Sequence, residues 1–215
     1  SISKASKDGV ITIQEASGVD TEVEITQGMK LDRGYLSQYF VTDSVRMEVV
    51  FDNPLILFVN KRISLSREMI KALELAHNNN KPLLIIADDI DMEAMKILVI
   101  NKVQNVIQVA AVKSPSYGSM RKDVMQDIAI LTGGFVYEDG TGFDLDDVSI
   151  DTVGKAEKVI VTANDTLIIN GKGDVEEIKQ RVDLINEHIK LAPSEFDAEK
   201  LRERKARLVG GVVVI

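Results

Sequence analysis

The acidic stretch ADDIDME, residues 87–93, is where this chain comes nearest to a catalytic arrangement. Asp88, Asp89 and Asp91 follow an apolar run at 82–87. Enzymes of the α/β class gather ligands at the carboxyl ends of such strands, and carboxylates placed there can hold Mg²⁺. A small Mg²⁺-dependent α/β enzyme is therefore one reading. The other is structural: the helix dipole favours acidic residues at a helix start, and no lysine, threonine or nucleophile motif accompanies these three. The remaining chemistry-bearing residues favour the second reading. His77 and His188 lie far apart, and neither has metal-ligand spacing around it. GKGD at 171–174 lacks the spacing and the following Ser or Thr of a phosphate-binding loop. No G-x-G-x-x-G follows a strand, and there is no G-x-S-x-G elbow. The absence of cysteine excludes disulfides, thiolate catalysis and cysteine-ligated metals.

The elements that would position these residues come from hydrophobic patterning. Residues 9–14 and 21–26 alternate as strands do. The short apolar runs 55–59, 82–87 and 106–112 are of the buried-strand type. Helical patterns at 64–77 and 91–104 separate them, which predicts a parallel α/β sheet. A third helix over about 121–132 is predicted to stop at Gly133-Gly134. A hairpin turns around residues 163–165, and a helical pair, 174–190 and 194–208, is joined at Pro193. Glu203 and Arg207 are spaced to pair on the second of these helices. Read alone, 174–208 would also serve as a helical interaction module.

Apolar content of 45% over 215 residues suffices for an ordinary core. A net charge of −8 argues against nucleic acid and anionic membrane as partners, since both require a basic surface. The given residues hold no signal-peptide pattern, and no apolar run among them approaches the ~18 residues of a spanning helix. The chain starts without methionine and finishes at LVGGVVVI, an apolar strand pattern, so it is expected to be a piece of a longer protein.

Two features exceed what a core requires. On 64–77, Leu65, Met69, Ala72 and Ala76 share one face, while Ile70, Leu73 and His77 form a second stripe. On 91–104, Ala94, Ile97 and Leu98 are expected to face the sheet, yet Met92, Met95, Val99, Ile100 and Val103 make the other sides apolar too. Such surplus implies either cover by another element or an exposed binding patch. The segment GMKLDRGYLSQYF, 28–40, reads as hinge and loop but holds three of the chain's ten aromatic residues.

In order and spacing, GVITI (9–13), GMKLDRGYLSQYF (28–40), KPLLIIADDI (81–90), VAAVKSP (109–115), QDIAILTGG (126–134) and KLRERKARLVGGVVVI (200–215) resemble the group I chaperonins, the GroEL-type family. The resemblance spans essentially the whole chain and lies in the apical domain with flanking parts of the intermediate domain. Residues 39–54 are similar to the cyanobacterial and plastid branch. The fold it implies is α/β of the swivelling β/β/α kind. Residues 1–27 and 212–215 would be intermediate-domain segments around an apical domain at 28–211.

The resemblance also implies a function. An extended segment (Tyr35, Ser37, Tyr39, Phe40) and two helices (Ile70 and Leu73; Met95, Val99, Ile100 and Asn101) would line an apolar groove. That groove would take non-native polypeptides and the mobile loop of a GroES-type co-chaperonin. Gly28 and Gly211 would be the hinge. The full-length protein would be a heptameric, ATP- and Mg²⁺-dependent folding machine of the plastid stroma or bacterial cytoplasm. Because the family's ATP site lies elsewhere, this piece would hold no cofactor, hydrolyse no ATP and form no ring alone. Gln38 stands in place of the family's usual proline, His77 in place of a small residue, and 114–122, with Tyr117, departs from the family's more charged stretch.

Overall fold

The structure is a computed structural model that describes residues 11–14 and 24–214. Among these residues it is an α/β protein with ten strands and five α-helices. The sheet is mixed. Its order is β1 (Ile11–Gln14), β10 (Gly211–Val214), β2 (Glu24–Leu31), β9 (Thr166–Gly171), β8 (Gly154–Val161), β4 (Leu55–Ile63), β5 (Leu83–Ile90) and β6 (Val109–Lys113). Two short strands join this path, β3 (Val49–Asp52) on β8 and β7 (Val136–Tyr137) on β4.

The parallel unit expected from the apolar runs is present. β4 pairs with β5, and β5 with β6, all parallel, with Leu57 opposite Ile85 and Ile85 opposite Ala111. α1 (Ile70–Asn79) and α2 (Met92–Val103) are its crossover helices. The first five residues of β4 and of β5 are fully buried, as strands covered on both faces must be. α3 (Ser119–Thr132) packs on β4 and β8 and ends at Gly133, whose φ of 79° is the left-handed C-terminal stop. α4 (Val175–Lys190) and α5 (Glu195–Val209) pack on α3 and on each other.

Several boundaries differ from the sequence reading. The strand predicted at 9–14 is described only from Ile11, and that at 21–26 only from Glu24; residues 9–10 and 21–23 lie outside the described residues. β2 runs on through Gly28 to Leu31, so the start of the 28–40 segment is strand rather than loop. The helix predicted from residue 64 begins as a 3₁₀ turn, Ser66–Met69. The Glu68 carboxylate accepts the backbone N–H groups of Ser64 and Leu65 ahead of this turn at 3.1 and 3.0 Å. Glu203 pairs with Lys200 at 3.6 Å rather than with Arg207.

The 28–40 segment leaves β2 and crosses to the far edge of the parallel unit. A Cβ added at Gly34 would lie 1.9 Å from the carbonyl oxygen of Ala163, in the β8–β9 turn. Gly34→Ala must therefore push the segment off that turn. The expected loss is about 1–3 kcal/mol, the usual range for overpacking. It would appear as a lower urea midpoint at unchanged m-value.

Candidate functional site

The segment is pinned by its backbone. The Arg33 carbonyl accepts the Thr166 hydroxyl at 2.7 Å. The N–H of Tyr35 donates to the Thr162 carbonyl at 3.1 Å, and that of Leu36 to Ala111 at 2.9 Å. It thus covers the outer edge of β6, which would otherwise present unpaired backbone groups. A 3₁₀ turn, Gln38–Phe40, follows and packs on α2. Ser37 Oγ accepts the Tyr39 N–H at 3.2 Å and so caps this turn. Phe40 is fully buried beneath it, while Tyr39 points into solvent.

α2 lies between that turn and the 3₁₀ turn that precedes α1. Glu93 of α2 accepts the Ser66 N–H at 3.2 Å across this second junction. Ala94 and Leu98 are buried, and Ile97 is half-buried. Met92, Ile100 and Val103 are exposed, while Met95 and Val99 are half-buried. Met92, Ile100 and Val103 thus leave part of the apolar surplus as open surface, while Met95 and Val99 pack partly against the core. The Asn101 amide donates to the Ile97 carbonyl at 2.8 Å, which leaves its oxygen for other partners.

Two of the expected lining residues do not form that surface. Phe40 is buried, and Leu73 is only 5% exposed. Leu73 follows Ile70 by one helical turn but is buried in the core, leaving Ile70 at 39% exposure to carry the stripe with His77. Both buried residues support the surface from beneath. Leu65, expected on the inward face, is exposed instead, because it sits in extended backbone ahead of the 3₁₀ turn rather than on the helix. The surface available for contact is therefore Tyr35, Ser37, Tyr39, Ile70, Met95, Val99, Ile100 and Asn101, extended by Leu65, Met92 and Val103.

Gly28 and Gly211 meet at one place in the sheet. Gln27 pairs with Gly211 on β10, and the next residue, Gly28, pairs with Ile169 on β9. β2 thus changes partner between residues 27 and 28. A Cβ at Gly28 would stand 2.8 Å from the Ile168 carbonyl oxygen and from Val212 Cγ2. Close strand packing demands glycine at 28 in this conformation; neither glycine has a positive φ.

The three aspartates are each engaged by cations, Asp88 by Arg121 and both Asp89 and Asp91 by Arg62. Asp88 accepts the Ser114 hydroxyl at 3.1 Å and pairs with Arg121 at 3.3 Å. Asp89 pairs with Arg62 at 3.3 Å and Lys113 at 3.9 Å. Asp91 pairs with Arg62 at 2.5 Å; hydrogen bonds from Ser64 and Arg62 hold its carboxyl below the usual range. Only Asp91 stands at the helix start, while Asp88 and Asp89 belong to β5. Among the described residues no group of three or more acidic or histidine side chains is gathered as a metal site. Asparagine at 88, 89 and 91 together is expected to leave calorimetric titrations with Mg²⁺ as featureless as those of the parent. A saturable heat in the parent that the triple variant lost would revive the metal reading.

No protein-family model matches the chain. Among the described residues no helix is long and apolar enough to cross a membrane.

Proposed function

We propose that this chain is the polypeptide-binding domain of a group I chaperonin, with a GroEL-like apical fold of the swivelling β/β/α kind. The observation that carries the reading is the uncovered apolar side of α2, flanked by Tyr39 on one junction and Ile70 on the other. Non-native chains share exposed apolar side chains and little else. A surface that must accept many of them relies on non-directional burial and few hydrogen-bond demands. The residues here fit that need, with methionines among them that adapt to varied shapes. The mobile loop of a GroES-type co-chaperonin would compete for the same surface.

Binding by one domain is expected to be weak. Each apolar side chain buried contributes roughly 1.5–3 kcal/mol before ordering costs. A heptameric ring of such domains would gain affinity through effective concentration. The partner change in β2 at Gly28, beside Gly211, supports an intermediate-domain boundary there, with 1–27 and 212–215 on the other side. ATP and Mg²⁺ would act elsewhere in the full-length protein, and catalysis is assigned to no residue of this chain. The ion-paired state of Asp88, Asp89 and Asp91 makes the Mg²⁺-dependent enzyme the weaker reading.

The test is direct. The chain should bind reduced, carbamidomethylated α-lactalbumin, a permanently unfolded protein, and not its native form. An apolar mobile-loop peptide should displace it. Equal affinity for native and unfolded forms, or none for either, would remove the proposal.

A further inference from the structure

The turn at residues 44–47 is closed by an isolated bridge between Asp43 and Glu48 and is held more tightly than its size requires. The Thr42 and Asp43 N–H groups both donate to the Glu48 carbonyl at 3.0 Å, and the Glu48 N–H returns to Asp43 at 3.1 Å. The Asp43 carboxylate accepts the N–H groups of Val45 and Arg46, each at 3.1 Å. Arg46 pairs with Glu48 at 3.0 Å. The turn's charged side chains are engaged within the turn, and beside Ser44 the side chains it exposes are apolar. Val45 is 92% exposed and Met47 is 39% exposed.

Met47 has a φ of 55°. That left-handed conformation suits glycine or asparagine and disfavours a long side chain. Four other non-glycine residues with positive φ are asparagines (Asn53, Asn80, Asn105 and Asn170), and the fifth is Ser116. Met47 is the one large apolar side chain forced into this region among the described residues. Strain kept where a cheaper residue would fit points to a use for the side chain. The Tyr35 hydroxyl donates to the Met47 carbonyl at 3.1 Å. The strained residue is thereby fastened to a residue of the apolar surface described above.

We infer that Met47, with Val45, is a binding residue that extends this surface past Tyr35, and that its occupant is an apolar segment of a non-native polypeptide. The inference rests on the proposed function. Its occupant follows from the charged side chains being held within the turn, which leaves apolar burial as the main means of recognition, and from the direct tie between Met47 and Tyr35. A thioether suits the role because it fits varied shapes.

Strain and binding predict opposite signs for one substitution. Met47→Gly relieves the left-handed strain, so the chain should melt higher, by about 2–4 °C for a chain of this size. The same variant should bind reduced, carbamidomethylated α-lactalbumin about three- to tenfold more weakly, as expected when part of one buried side chain is lost. Met47→Leu keeps the apolar side chain and should keep the affinity. If the parent binds and Met47→Gly binds equally well, the inference about Met47 fails while the wider surface stands. If Met47→Gly melts lower than the parent, Met47 is a packing residue and the inference fails. If the parent binds no unfolded protein, the underlying function fails and takes this inference with it.

Discussion

Glutamate at both Ile70 and Ile100 is expected to abolish binding of unfolded protein while leaving the fold intact. These residues stand on different helices, Ile70 on α1 and Ile100 on α2, at 39% and 51% exposure. Neither is a core residue, so a charge at either position stays solvated in the free protein. On binding, that charge would have to lose water against an apolar segment with no partner, and two favourable apolar contacts would be lost as well. Loss of two side chains worth roughly 1.5–3 kcal/mol each lowers affinity by at least about a hundredfold. Circular dichroism and urea unfolding should match the parent. Leu73→Glu is unsuitable for this purpose, since Leu73 is buried and a charge there would unfold the domain. The control is Val175→Glu with Leu191→Glu. These positions are also exposed and apolar, but they lie at the two ends of α4, away from the surface. If the control pair weakens binding as much as the test pair, the protein is merely sticky and no particular surface is responsible.

How far the sequence revealed this surface depended on the kind of interaction involved. β4, β5 and β6 were legible because strands buried on both faces need continuous apolar runs. Their length was less so. β5 continues through Asp88 and Asp89 because Arg62, Lys113 and Arg121 satisfy those carboxylates, and these partners come from distant parts of the chain. The apolar excess of α2 was visible in its composition, and tertiary structure decided which part stayed open. The angular pattern of α1 could not separate Ile70 from Leu73, since residues one turn apart share a stripe and a small tilt buries one of them. Its 3₁₀ start came from Glu68 capping the chain ahead of it, a local competition that periodicity does not register. Met47 left no sequence signal, because nothing about a methionine announces a left-handed backbone. The sharpest omission was Asp127. In QDIAIL it reads as the solvated member of an amphipathic helix, yet it is buried.

Asp127→Ala is expected to cost about 3–5 kcal/mol of stability, the range for removing one partner of a buried ion pair. Asp127 lies on α3 and binds an arginine from each of the next two helices. Arg181 Nε of α4 reaches Oδ1 at 2.7 Å. Arg204 of α5 grips both oxygens, Nε to Oδ2 at 2.8 Å and a terminal nitrogen to Oδ1 at 3.0 Å. Arg204 itself is buried. Burial alone would make it easier to deprotonate, but the hydrogen bond and charge of Asp127 outweigh burial and raise its affinity for the proton. Removing the carboxylate therefore leaves a guanidinium that is buried, charged and without its main partner. Asp123, 3.8 Å away and half in solvent, cannot replace it. Removing the charge at both ends should recover much of the loss, because the stranded cation causes the damage. Asp127→Leu combined with Arg204→Met is thus expected to unfold at a higher urea concentration than Asp127→Ala. If Asp127→Ala costs less than about 1 kcal/mol, the value of an exposed pair, water reaches the arginines and the triad does not hold the three helices. None of these helices contributes to the apolar surface, so the variant should bind unfolded protein with parental affinity at temperatures where it remains folded. A matching loss of binding would mean that the α3–α4–α5 layer sets the geometry of α1 and α2 through the sheet between them.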